Sequence, residues 1–389
     1  MKVYKFKPYA FKKLDSKSSK KPKGRSDADT HCDGKNLYIY QGWADGPDPE
    51  SNDIWVYNLA GKQWRLIRNE SNLPHSHYDS IFGTIFESNY LINCTLRKPI
   101  YDELSVRKCR IHICNLNTES VLVRETSGQI PYPSFPHNLI RQGKYFYSVG
   151  ITRNHEYFSD VYKLNIENGL WEVVYICQGL DANEPVGRIG HTLVYDNNMI
   201  YIFSAILDDS KPDAFSFATI SAFDLEKCCW KKIETYGDEN QTPHYPTKRE
   251  DFAVTSHTDQ DLGEINVIIS GGIIGSRKHL NDVWRLNLTS LKWTCLKKFG
   301  TVLPRQVFCN SMTVSPDGKL FTFGGFVSNK NVDTKIRIST AHSTWLRIPK
   351  LTEICWEAVF HYYRNLTSMS DKEIISLGIP LHLLKSRIN

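Results

Sequence analysis

Long hydrophobic runs are missing from this sequence. No stretch of 18 apolar residues occurs among its 389, and a membrane-spanning helix needs about that many. The opening residues, MKVYKFKPYAFKKL, carry no apolar core of a secretory leader, so export is not expected. Cysteine is sparse. Ten in the whole chain are too few for a disulfide scaffold, and reduced thiols in the cytoplasm or nucleus are expected. The Asn-x-Ser/Thr triplets at Asn69, Asn93, Asn287 and Asn365 are then chance matches.

Catalytic signatures are missing too. There is no Gly-x-Ser-x-Gly elbow and no phosphate-binding loop. Ser315-Pro316-Asp317-Gly318 is a turn sequence. No Cys-x-x-Cys pair occurs. Cys109, His112 and Cys114 lie close in sequence, but on a strand positions 109 and 114 face opposite sides. His75 and His77 share a face and lack a visible third ligand. No metal, no cofactor and no enzyme activity are expected.

Charge is lopsided. The net charge is +6, yet residues 1–25 hold ten bases and one acid, Asp15. The remaining chain is therefore slightly acidic, and a nucleic-acid partner is not expected. The Lys/Ser-rich stretch from Lys12 to Arg25 reads as a flexible, solvated tail, with a nuclear import signal or nucleic-acid arm as the other options. Apolar residues make up 41% and charged residues 23%, a globular composition.

What is present is a repeat. An acidic or small residue, a hydrophobic one and an aromatic open a β run that closes on Trp. The copies are NDIWVYNLAGKQW (Asn52 to Trp64), SDVYKLNIENGLW (Ser159 to Trp171), ISAFDLEKCCW (Ile220 to Trp230) and NDVWRLNLTSLKW (Asn281 to Trp293). IRISTAHSTW (Ile336 to Trp345) reads as a last copy, and Lys108 to Val123 as one without its Trp. Six repeats result, about 56 residues apart. No helical period of any length interrupts residues 26–345. Short strands at this spacing are the pattern of propeller blades. The tryptophans are expected to fill the wedges between blades.

Diglycine after the second strand, at Gly271-Gly272 and Gly324-Gly325, followed by the Asp-Val-Trp strand, resembles the kelch repeat. Trp43, Cys94 and Ser204-Ala205 stand where other blades would carry the glycines. The resemblance implies an all-β six-bladed kelch propeller over residues 25–348, after an N-terminal segment of 1–24.

Beyond Pro349 the period changes. Leu351, Cys355, Val359 and Tyr362 recur at three and four residues, one apolar helix face. Ser370 with Glu373 predicts a capping box, and Gly378 a helix end. IPLHLLKSRI predicts a third helix with Pro380 in its first turn. Residues 349–389 are thus a small helical segment. Leu-x-x-x-Cys-x-x-x-Val at 351, 355 and 359 resembles the BC box that binds elongin C. Ile379-Pro380-x-x-Leu383 resembles a cullin box. Together with the propeller, the last blade's LPRQVF and VSPDGKLFTFGG, and the tail LTEICWEAVFHYYRNL, the chain resembles the kelch receptors of cullin-2 RING ubiquitin ligases.

That resemblance implies partners: elongin B and elongin C, cullin-2 with its RING protein, and substrates bound through their C-termini, typically ending in glycine. A carboxylate terminus suits arginine's planar fork. Arg188 and Arg249, which open the fourth and fifth blades, are expected to anchor it, with Lys248 in support. His75 and Arg305, which open the second and sixth, are expected at the same mouth. Asp251 is a competing partner for Arg249. The rival reading is a kelch scaffold for actin or another folded protein. In that case Leu351, Cys355 and Val359 would be buried against the propeller.

Overall fold

The computed structural model describes residues 3–45, 53–68, 79–87, 89–97, 108–131, 139–153, 156–185, 192–203, 216–275, 278–329 and 334–388. Its strands group into six antiparallel blades, a six-bladed β-propeller. Blade 1 is Asp29–Cys32, Asn36–Tyr40, Ile54–Asn58 and Gln63–Arg68. Blade 2 is Asp79–Glu87, Tyr90–Arg97, Lys108–Asn115 and Val121–Glu125. Blade 3 is Ile140–Gln142, Tyr145–Arg153, Glu156–Asn165 and Leu170–Tyr175. Blade 4 is Thr192–Asp196, Met199–Phe203, Thr219–Asp224 and Cys229–Glu234. Blade 5 is Ala253–Thr258, Ile265–Ser270, Val283–Asn287 and Lys292–Cys295.

Each blade buries its faces against its neighbours, so the core is divided by interface. One apolar cluster bridges each adjoining pair, and the sixth joins Phe321, Phe323 and Ala341 of blade 6 to Ala28, Leu37 and Ile39 of blade 1. The ring is therefore closed. Trp171, Trp230 and Trp293 are at most 1% exposed. Trp293 stands edge-on to Phe217 of blade 4, and its Nε1 donates to the Phe217 carbonyl at 2.9 Å.

Closure corrects the expectation that the stretch from Lys12 to Arg25 is a flexible tail. Blade 6 takes three strands from late in the chain, Ser311–Val314, Lys319–Phe323 and Ala341–Trp345. Its fourth is Lys12–Lys13, paired with Ser343 and His342. The Leu14 N–H donates to the Ala341 carbonyl, the Trp345 N–H to that of Pro8, and the Lys17 N–H to that of Lys62. Trp345 consequently lies on a third strand and does not close the last repeat. One step along the same register sets Phe11 opposite Thr344, the place Trp64 takes opposite Tyr57. Phe11 packs into the cluster between blades 5 and 6.

The diglycine positions shift as well. Gly271 and Gly272 have φ of 64° and 93°, and Gly324 and Gly325 have 67° and 91°. The blade 1 equivalents are Gln41 and Gly42, at 59° and 96°, so Trp43 follows the pair instead of replacing it. A Cβ on Gly272 would meet the Glu250 carbonyl oxygen at 2.7 Å. The left-handed turn and this close approach together demand glycine.

The C-terminal helices are α1 (Leu351–Tyr362), α2 (Asp371–Ser376) and α3 (Leu381–Ile388). The capping box forms as predicted, with Ser370 and Glu373 exchanging side-chain and backbone bonds. No helix among the described residues is long and apolar enough to cross a membrane.

Candidate functional sites at the two ends of the propeller

Antiparallel blades sort their connections to two ends. The turns from strand one to two and from three to four are short. The links between blades are long, and so are those from strand two to three in every blade but the third, where the two strands themselves run on to Arg153 and Glu156. Of the bases singled out from the sequence, Lys248, Arg249 and Arg305 lie at the long-loop end. The helices sit by the short turns, where Asp33, Lys35, Lys62 and Asp317 share one cavity with Trp356 and Phe360.

At the loop end Arg249 is not a ligand anchor, and that expectation is corrected. Its side chain is wholly buried. It forms a bidentate pair with Asp282 at 2.5 and 2.8 Å. Its Nε and Nη1 also donate to the carbonyls of Thr247 and Gly271, at 2.9 and 3.1 Å. Trp284 Nε1 donates to the same Asp282 at 2.7 Å. Blade 1 repeats the arrangement: Arg25 pairs with Asp53, donates to the Lys23 and Gln41 carbonyls, and Trp55 Nε1 donates to Asp53 at 2.6 Å. The arginine thus ties a blade's entry to its third strand.

The register locates this acid in other blades. Asp53 and Asp282 directly precede Ile54 and Val283, which pair with the ends of the second strands at Tyr40 and Ser270. In blade 4 Ile202 pairs with Ser221, which sets Thr219 at the acid's position and Ser221 at that of the tryptophan. Arg188 stands four residues before the first strand of blade 4, as Arg25 and Arg249 do in theirs. Its own blade supplies no carboxylate at that position. Arg188 and His75 lie outside the described residues. Lys248 and Arg305 are exposed at this end.

Asp251 does not compete for Arg249. It joins Asp27 and Cys309 at matching points of blades 5, 1 and 6, all with left-handed φ near 50°. Asp27 N–H donates to the Cys309 carbonyl, and Cys309 N–H to that of Asp251. Burial pushes both carboxyls and the thiol above their ordinary values.

Some loop-end residues escaped the sequence reading. Trp43 is 45% exposed. Phe308 and Phe326 stack at 5.1 Å, with Lys335 and Arg337 over their rings at 4.9 and 4.5 Å. A signal existed, because each of Trp43 and Phe326 follows its left-handed pair.

At the helical end, α1 has two different faces. Leu351 is 73% exposed, and Cys355 and Tyr362 are exposed as well. Val359 is half-buried and packs with Trp356 and Phe360 around Leu366, Ile374, Ile379 and Leu384. Each four-residue step turns the helix by about 40°, so the third member of the motif rotates inward. Ile379 is corrected from a surface contact to a core residue, 9% exposed. Pro380 and Leu383 of the same motif are exposed. Among the described residues, no three His, Cys, Asp or Glu side chains converge as a metal site.

The profile of the KLHDC2/KLHL20/DRC7 Kelch-repeats domain matches residues 2–205 and 190–361. The chain belongs to the kelch-repeat family. It is 27% identical over 348 residues to the Kelch domain-containing protein 10 homolog of Drosophila melanogaster, covering 84% of this chain and 54% of that protein. It is 24% identical over 374 residues to Kelch domain-containing protein 10 of Homo sapiens, covering 94% of this chain and 79% of that one. It is also 25% identical over 333 residues to Host cell factor of Drosophila melanogaster, covering 81% of this chain and 20% of that protein. The chain thus spans about half the length of the first relative. In this kelch propeller the Arg–Asp–Trp triads of blades 1 and 5 are scaffold, and blade 4, which also carries an arginine before its first strand, has Thr219 at the acid's position.

Proposed function

We propose that this chain is a non-catalytic substrate receptor of an elongin B/C–cullin-2 RING ubiquitin ligase. The loop end of the propeller takes the C-terminus of a substrate, and the helices dock the ligase. The receptor holds the substrate near a charged enzyme and so raises its effective concentration. One observation carries the reading: Leu351 and Cys355 stand exposed on α1, while its half-buried Trp356 and Phe360 pack inward. The small Cys355 beside larger apolar residues lets a partner groove approach closely. In the rival reading, a kelch scaffold for actin or another folded protein, these residues would be buried. Pro380 and Leu383 fit the cullin contact, with Ile379 holding them from within the helical core.

For the loop end, Arg188 remains the proposed carboxylate anchor, with Lys248, Arg305 and His75 as the further candidates. Arg249 leaves the set because Asp282 already holds it. The test is a titration of purified elongin B/C against the full chain and against Leu351→Ala/Cys355→Phe. Tight binding by the first and none by the second is expected, with equal thermal stability. Equal binding by both would sink the proposal.

A further inference from the structure

The helices and the propeller are two apolar bodies that hardly share a core. The buried cluster of the helices contains no propeller residue, and the six interblade clusters contain no helical residue. Between them lies a cavity of about 580 Å³, lined on one side by Tyr57 and Phe321 and on the other by Trp356 and Phe360. Apolar packing therefore does not set how α1 sits on the propeller.

A polar joint does, and it centres on Glu357 of α1. Tyr4 donates its hydroxyl to Glu357 Oε2 at 2.6 Å, and Lys12 Nζ reaches the same oxygen at 3.1 Å. Lys319 Nζ and Trp345 Nε1 of blade 6 donate to Oε1 at 2.7 and 2.8 Å. Two of these four donors come from the N-terminal segment. That segment also binds the end of the helix. The Tyr4 N–H donates to the Tyr362 hydroxyl at 2.8 Å, and Lys17 Nζ to the Arg364 carbonyl at 2.8 Å. The Tyr4 ring lies 5.3 Å from that of His361. Lys12 is at the same time one of the two residues that close blade 6.

We infer that residues 4–17 form a latch, in which the strand that closes the propeller also fixes the direction in which α1 presents Leu351 and Cys355. Glu357 is the positioning residue of this latch. A propeller without its closing strand then also lacks an oriented docking helix, so an incompletely closed receptor does not engage its ligase. The consequence for ligase capture rests on the proposed function; the latch does not.

Hydrogen exchange on the full chain tests it, with Glu357→Gln and with Tyr4→Phe/Lys12→Met, both of which leave the strand's backbone in place. Amides of α1 are expected to exchange about tenfold faster or more, the scale of losing charged hydrogen bonds, with Lys319–Phe323 unchanged. Elongin B/C affinity should fall in the same variants, and Lys319→Arg should retain wild-type behaviour. Unchanged protection of α1 in both variants would overturn the latch. Faster exchange with unchanged elongin affinity would overturn its role in presentation. A wild-type chain that binds no elongin would remove the proposed function instead, and the exchange result alone would then decide the latch.

Discussion

Blades 4 and 5 each have an arginine four residues before the first strand, and they differ in what stands at the position of its acid. In blade 5, Arg249 meets Asp282 and disappears into the scaffold. In blade 4, the position of that acid is Thr219, and the position of the tryptophan beside it is Ser221. A base is available to a ligand only if no acid has claimed it, and the acid that decides lies some thirty residues downstream. The helical end repeats the lesson in reverse, since Lys12 and Lys319 are held by one carboxylate, Glu357.

The largest break of this comparison is Arg249→Ala. It leaves the half-buried Asp282, 26% exposed, without its counter-charge and empties a wholly buried site, a loss of about 3 kcal/mol, the lower end for a buried pair. Denaturant unfolding should show that loss. Arg188→Ala, with Thr219 where blade 5 has its acid, should change stability by less than about 1 kcal/mol while abolishing peptide binding. A large stability loss for Arg188→Ala would erase the distinction between the blades.

Glu357 extends the test to the helical end through pH. Burial alone would raise its carboxyl. The charge and hydrogen bond of Lys319, the Tyr4 hydroxyl and the charge of Lys12 outweigh that and hold it at about 2. Glu353, paired with Arg387 at 3.0 Å, lines the same junction. A depressed carboxylate stabilises the folded state above its ordinary value of 4.5 and loses that contribution as pH falls toward 2. The contribution is on the order of 3 kcal/mol. Wild type should therefore lose stability between about pH 5 and 2, relative to Glu357→Gln. Parallel pH curves for the two proteins would show that the clamp contributes nothing.

Thr219→Asp sharpens the comparison by restoring the missing acid. Arg188 would be drawn into a blade 5-like pair, and affinity for a peptide with a free C-terminus should drop at least tenfold in fluorescence anisotropy. Unchanged affinity would argue against Arg188 as the anchor. The smallest effect is expected for Lys248→Ala, exposed on the surface: a change in stability within about 0.5 kcal/mol and a weakening of peptide binding that salt reduces.

The sequence carried the blade count because the β run and its Trp repeat at a readable spacing. The capping box of Ser370 and Glu373 was legible for a similar reason, since both partners lie within one helical turn. The closing strand was not legible. Its partner lies more than 300 residues away, and its lysines read as solvated charge until Glu357 and blade 6 are seen to face them. Phe11 in the place of a closing tryptophan was hidden in the same way. Arg249 was misread because composition shows a base and cannot show the acid opposite it. Ile379 was misread because a short motif does not reveal which of its residues face inward.

In the proposed function, this kelch chain joins a substrate to an elongin–cullin ligase. The measurement that reaches it most directly is affinity purification of the full chain beside Leu351→Ala/Cys355→Phe, read by mass spectrometry. Elongin B, elongin C and cullin-2 are expected with the wild-type chain, and their loss with the double variant. Absence of elongin from the wild-type sample, with actin or another folded partner in its place, would contradict it.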